Sequence, residues 1–117
     1  MYNYEKLEVY KLSLQLVVTI YVLVKKFPKD EIFGLTSQLK RAAVSVLLNI
    51  VEGSSRSSKK DFAVFIDRSI GSTVEVRASL QVAVELKFTT EKDIVNILEL
   101  IDKLYFKLQK LKKYLRS

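Results

Sequence analysis

Residues that break regular structure are almost missing from this chain: 117 residues include three glycines and one proline. A sandwich or barrel of short strands carries turn signals roughly every 8 to 12 residues, and glycine and proline supply most of them. So few breakers confine the chain to long helices joined by short links, and the fold class expected is all-α. Hydrophobic residues make up 49% of the sequence, at the upper end for a chain in water, so such helices have enough apolar surface to build a core. The length suits one domain over residues 1–117.

Apolar periodicity places helices over about 7–26, 36–56, 59–88 and 91–115. In the first, the residues from Leu12 to Val24 are so rich in Leu, Val and Ile that nearly every face is apolar. Ser13, Gln15 and Thr19 interrupt that run, and Lys11, Lys25 and Lys26 close it. It therefore falls short of the roughly 20 apolar residues that span a bilayer. One small core cannot cover so much apolar surface, so association with further copies is expected through first-helix residues such as Leu16, Ile20 and Leu23.

Phe27-Pro28 ends this helix, because the residue before proline is pushed out of the helical region. Thr36 is the expected N-cap of the second helix, its hydroxyl accepting from an orphan amide. The run GSSRSS over 53–58 makes the next turn. Ser58 with Asp61, and later Thr90 with Asp93, read as Ser/Thr-x-x-acid caps. Gly71 in the third helix marks a place where a neighbouring helix could approach closely. The fourth helix is the most regular: Ile94, Ile101, Leu108 and Leu115 recur every seven residues with Ile97, Leu104 and Leu111 between them. Four such helices with short links imply an up-down-up-down antiparallel four-helix bundle.

Two polar lines run along these apolar helices. In the second helix Gln38, Arg41, Ser45, Asn49, Glu52 and Arg56 step by three and four, and in the third Arg68, Ser72, Glu75 and Ser79 do the same. A single polar line on an apolar helix must pair inside the protein, line a channel or meet a ligand, since an unpaired buried polar group costs kilocalories. The pairings expected are Arg41 with Glu75 in a buried network, and Glu52 with Arg56 at i, i+4.

Catalytic chemistry has little to work with. Cysteine and histidine are both absent, which removes disulfides, thiol nucleophiles, the usual zinc ligands and the commonest general base. No glycine-rich phosphate loop or nucleophile elbow occurs, and Asp61 and Asp67 fall on different faces of a helix. An enzyme is not expected, nor a cofactor or metal. The opening MYNYEKLEVYK lacks the pattern of a secretory signal, so a cytoplasmic location is expected, with no membrane partner.

The formal net charge is +7 with a pI near 9.6, and the excess is concentrated in two zones. Residues 36–60 hold five basic side chains against one acidic, and residues 91–117 hold seven against four. Lys40, Lys59 and Lys60 belong to the first zone; Lys107, Lys110, Lys112, Lys113 and Arg116 crowd the chain's end. Such zones attract polyanions through backbone phosphates. A solvated helix terminus whose cations suit the dipole would look the same in sequence. Tyr105, Phe106 and Tyr114 stand among the C-terminal cations, where an aromatic ring could stack on an unpaired base.

The runs FGLTSQLKRAAVSVLLNIVEGSSR and DFAVFIDRSIGSTVE, with the YEKLEVYKLS opening, resemble the four helix bundle protein family. Its members are small bacterial proteins, some encoded in intervening sequences of large-subunit ribosomal RNA genes. This chain departs from the pattern at Leu47 and Leu48, where members usually carry proline and a small residue, so a helix irregularity there should be absent or weaker. The resemblance implies a homopentameric ring. It also implies contact with nucleic acid, RNA in the first place, since a related protein, the accessory variability determinant of diversity-generating retroelements, associates with a reverse transcriptase and nucleic acid. Two functions stay open at this point: a basic, oligomeric nucleic-acid-binding module of little sequence specificity, or a protein-binding scaffold without a direct nucleic-acid role.

Overall fold

Residues 3–4 and 7–117 are described by the computed structural model, and they contain four helices: α1 (Glu8–Leu23), α2 (Leu35–Ser54), α3 (Lys59–Glu85) and α4 (Glu91–Arg116). Single 3-10 turns at Val24–Lys26 and Lys29–Glu31 fill the link from α1 to α2. Side-chain pairs fix the directions. Ser45 meets Ser72 while Arg41 meets Glu75, so α2 and α3 are antiparallel. Lys112 with Asp67 and Arg77 with Asp102 set α4 antiparallel to α3, and Lys26 with Asp93 and Lys107 with Glu8 set it antiparallel to α1. The result is an all-α, up-down-up-down bundle measuring 43 × 24 × 20 Å.

The core follows the apolar stripes. Ile94, Ile97, Ile101, Leu104, Leu108 and Leu115 of α4 are all buried. They pack with Leu39, Val46 and Ile50 of α2 and with Phe62, Ile66 and Leu80 of α3. Between α2 and α3 the residues are small, and their polar atoms bond to backbone: Ser69 Oγ donates to the Val46 carbonyl at 2.8 Å, and Thr73 Oγ1 to the Ser69 carbonyl at 2.9 Å. Side chains of this size let two helices lie close, and the bonds satisfy hydroxyls that burial would otherwise penalise.

The helix ends divide into expected and unexpected caps. Ser58 Oγ accepts from the Asp61 amide at 3.1 Å and Thr90 Oγ1 from the Asp93 amide at 3.2 Å. Thr36, in contrast, is not the N-cap of α2. That position falls to Gly34, and the Glu31 carboxylate accepts from the Leu35 amide at 3.0 Å, while Thr36 turns inward and is buried. The acid four residues upstream, carried on its own 3-10 turn, reaches the orphan amide first.

The end of α3 is closed by a Schellman motif. The Phe88 amide donates to the Ala83 carbonyl and the Lys87 amide to that of Val84, with Lys87 at φ 64°. Gly71 is exposed and a Cβ there would meet nothing within 4 Å; the close approach lies at buried Gly53 instead. Helix α2 runs through Leu47 and Leu48 without a break.

Candidate nucleic-acid interface

Because α3 starts just after the Ser55–Ser58 link and α4 ends antiparallel beside it, the two basic zones of the sequence meet at one end of the bundle. Lys59 ties them: its Nζ lies 3.3 Å from the Tyr114 hydroxyl, to which it donates, and 4.5 Å from the ring centroid. A cleft of about 570 Å³ opens there between Lys59, Lys60, Val64, Leu115 and Arg116. A shallower depression of about 410 Å³, lined by Gln109, Lys112, Lys113 and Arg116, adjoins it through the shared Arg116.

These cations are not equally available. Lys112 is paired with Asp67 at 2.7 Å and Lys107 with Glu8 at 3.2 Å. The Lys112 hydrogen bond holds the Asp67 carboxyl below its ordinary range; desolvation opposes it, and the charges of Lys112 and Arg116 add to the lowering. Lys110 lies 5.6 Å over the Phe106 ring. Lys60, Lys113 and Arg116 form no ion pair among the described residues and are exposed. The positive charge at this end that no carboxylate pairs among the described residues includes those three, Lys59 and Lys110.

The helix dipole separates the bland reading from the functional one. Lys113 and Arg116 occupy the last turn of α4, where the negative end of the macrodipole favours cations. Lys59 and Lys60 occupy the first turn of α3, at the positive end, where each is disfavoured by roughly 0.3 to 1 kcal/mol. Dipole compensation accounts for the first pair and runs against the second.

Lys40 does not join this surface. It sits toward the far end of α2, 4.8 Å over the Tyr21 ring, and the stretch of α2 from Arg41 to Ser54 separates it from the Ser55–Ser58 link, a rise of about 21 Å. Grouping it with Lys59 and Lys60 follows sequence proximity and is corrected by the fold.

The two polar lines face each other along the α2–α3 seam, on the outside of the bundle. Glu75 accepts from both Gln38 and Arg41; the Ser45 and Ser72 hydroxyls lie 2.9 Å apart, and Asn49 donates to the Ser45 carbonyl. At the basic end Arg56 pairs with Glu52 at 2.7 Å, and the guanidiniums of Arg56 and Arg68 stand 4.4 and 4.7 Å from the Phe65 centroid. The burial expected of Arg41 and Glu75 is corrected: their side chains are 57% and 34% exposed. Solvent screening then brings the pair from the several kcal/mol of a buried ion pair to the surface scale of about 1 kcal/mol or less.

A second correction concerns the first-helix residues expected to meet further copies. Leu16 and Ile20 are wholly buried in the subunit's own core and Leu23 nearly so, so they do not face a neighbour. In α1 the inward face carries Val9, Leu12, Leu16, Ile20 and Leu23, against α2 and α4. The outward row is Leu14, Val18 and Val22, 44%, 57% and 60% exposed, with Leu48 of α2 at 54%. A helix apolar on every side gives no clue to which row points in. Of the watched aromatics, Tyr114 stands in the basic cleft; Tyr105 lies with Val74 and Arg77 at another groove.

The family model of the 23S rRNA-intervening sequence protein matches residues 5–110. Among solved structures the fold resembles a protein of unknown function from the S23 ribosomal protein family of Bacteroides thetaiotaomicron VPI-5482. The TM-score is 0.65 at 21% identity, over 92% of this chain and 94% of that one. Among curated proteins none matches.

Proposed function

The chain belongs to the 23S rRNA-intervening sequence protein family, and from that premise we propose that it is a non-enzymatic, oligomeric module that binds the backbone of nucleic acid, RNA first, with little sequence preference. One observation carries the reading: Lys59 and Lys60, which the α3 dipole disfavours, share a cleft with Arg116, and Lys113 lines the depression that adjoins it. Charge held against the local field supports a role in binding an anion. Each phosphate contact at such a surface is screened and weak. Copies joined through the Leu14, Val18 and Val22 row multiply it, since a polyanion engaging several clusters gains effective concentration without new contacts.

Neutralising Lys60, Lys113 and Arg116 together to Gln tests this by fluorescence anisotropy on a single-stranded RNA of mixed sequence. The wild type binds, with log affinity falling linearly as log salt rises; the triple variant loses at least about tenfold in affinity and part of that slope. Lys40→Gln leaves binding unchanged. Lys60→Glu alone weakens binding while raising stability by a few tenths of a kcal/mol, because it places an anion at the start of α3. No binding of RNA or DNA at low salt removes this reading and leaves the protein scaffold.

A further inference from the structure

At the end of the bundle opposite Lys59 and Lys60, the turn from α1 to α2 holds apolar side chains out in water. Phe33 is 94% exposed and Ile32 57%. Beside them an open groove of about 400 Å³ runs along Val24, Phe27, Pro28 and Ile32, within the volume range of small-ligand clefts. Its floor is fixed from beneath: Phe27 is buried and rests on Phe88, the rings 5.7 Å apart. The concavity therefore belongs to the packed bundle; Ile32 lines it, and Phe33 is the next residue in the chain.

Charge distinguishes this groove from a merely apolar one. Lys25, Lys29 and Lys40 frame it, and none of them forms an ion pair among the described residues. Lys26, one position from Lys25, is engaged by Asp93 at 2.6 Å. The turn's two acids, Asp30 and Glu31, keep their negative charge, but Glu31 directs its carboxylate to the Leu35 amide, and three lysines against two acids leave the rim net positive. A concave apolar floor with cations on its rim complements an apolar side chain flanked by carboxylates. A nucleic-acid backbone offers nothing to the floor, and a lipid surface cannot enter the concavity.

We propose that the groove at the α1–α2 turn docks an acidic peptide segment of another protein, a bulky apolar side chain entering between Phe27 and Ile32 while its flanking carboxylates meet Lys25, Lys29 and Lys40. Two poles then divide the labour of the molecule, one basic and polar for nucleic acid, the other basic and apolar for a protein partner.

A fluorescent peptide with a central Leu-Phe pair, glutamates on both sides and capped ends probes this directly by anisotropy. Binding is at least about tenfold tighter than for the same peptide with Ser-Ser at its centre or with lysines as flanks. Combining Lys25→Gln, Lys29→Gln and Lys40→Gln lowers affinity about tenfold, and the exposed pair Ile32→Ser with Phe33→Ser does likewise, with helical content unchanged. The Lys60, Lys113 and Arg116 variant binds the peptide as the wild type does, which separates this pole from the other. Three results overturn the proposal: no groove-dependent binding up to about millimolar peptide; attachment to anionic phosphatidylserine vesicles that needs Phe33 while the peptide is ignored; or a change of oligomeric mass in the Ile32→Ser, Phe33→Ser variant, which would make a second copy the occupant.

Discussion

Gly53 packs tightly against α3: a Cβ on it would lie 2.8 Å from Phe62 Cδ1 and 2.8 Å from the Cβ of Phe65. Neither atom is the free tip of a flexible chain, so accommodation means displacing α3. Gly53→Ala should therefore destabilise by about 1 to 2 kcal/mol, even though alanine is favoured over glycine in a helix by up to about 1 kcal/mol. Urea denaturation with an unchanged m-value checks it, and a gain in stability would show that the seam yields. The sequence points to Gly71 for this role, since Gly53 opens the GSSRSS run that reads as a turn, whereas α2 continues through it to Ser54. The same limit applies at Thr36, whose cap chemistry is right and whose competitor, Glu31, wins through a 3-10 turn that has no periodic signature. Ser58 and Thr90 are legible because their cap partners lie three residues away in the same stretch.

Each helix is legible in proportion to how much of its surface is polar. Helix α4 has a narrow apolar seam, so Ile94, Ile101 and Leu108 can point in one direction, and they do. Helix α1 carries apolar residues on all sides; its helical character is plain, but the inward row is settled by packing against α2 and α4. Val18 and Ile20 now separate two effects that a single first-helix substitution would mix. Ile20→Glu puts a charge in the wholly buried core and should unfold the subunit. Val18→Glu, at 57% exposure, should keep the circular dichroism and thermal transition of a folded helical protein while lowering the mass seen by light scattering. A wild-type monomer at micromolar concentration, or a Val18→Glu oligomer unchanged in mass, would discard the outward row of α1 as a contact between copies. The basic cleft was half legible: both zones show in the sequence, while their meeting depends on the antiparallel register of α3 and α4.

For the molecule as a whole, acid should matter and neutral pH should not. Asp93 is held below the ordinary aspartate value of 3.8 by its hydrogen bond to Lys26 and by that lysine's charge, and Asp67 likewise by Lys112. A carboxyl whose folded value lies below its unfolded value stabilises fully above the unfolded value, and that contribution disappears as pH falls through the folded one. Lys26–Asp93 joins α1 to α4 and Lys112–Asp67 joins α3 to α4, so the loss begins below about pH 4 and loosens both faces of α4. With no histidine and no cysteine, the urea midpoint should stay flat between about pH 5.5 and 8; a slope across that window would contradict the assignment. The outward row of α1 has one more consequence. Leu14, Val18 and Val22 advance by four, so they form a ridge inclined about 26° to the helix axis, and ridges of that kind interlock at crossing angles near 50°. Copies joined along it would not lie side by side like staves. They would cross obliquely, each bundle canted against the next, and the tilt would decide whether the basic ends of successive copies fall on one rim or splay apart.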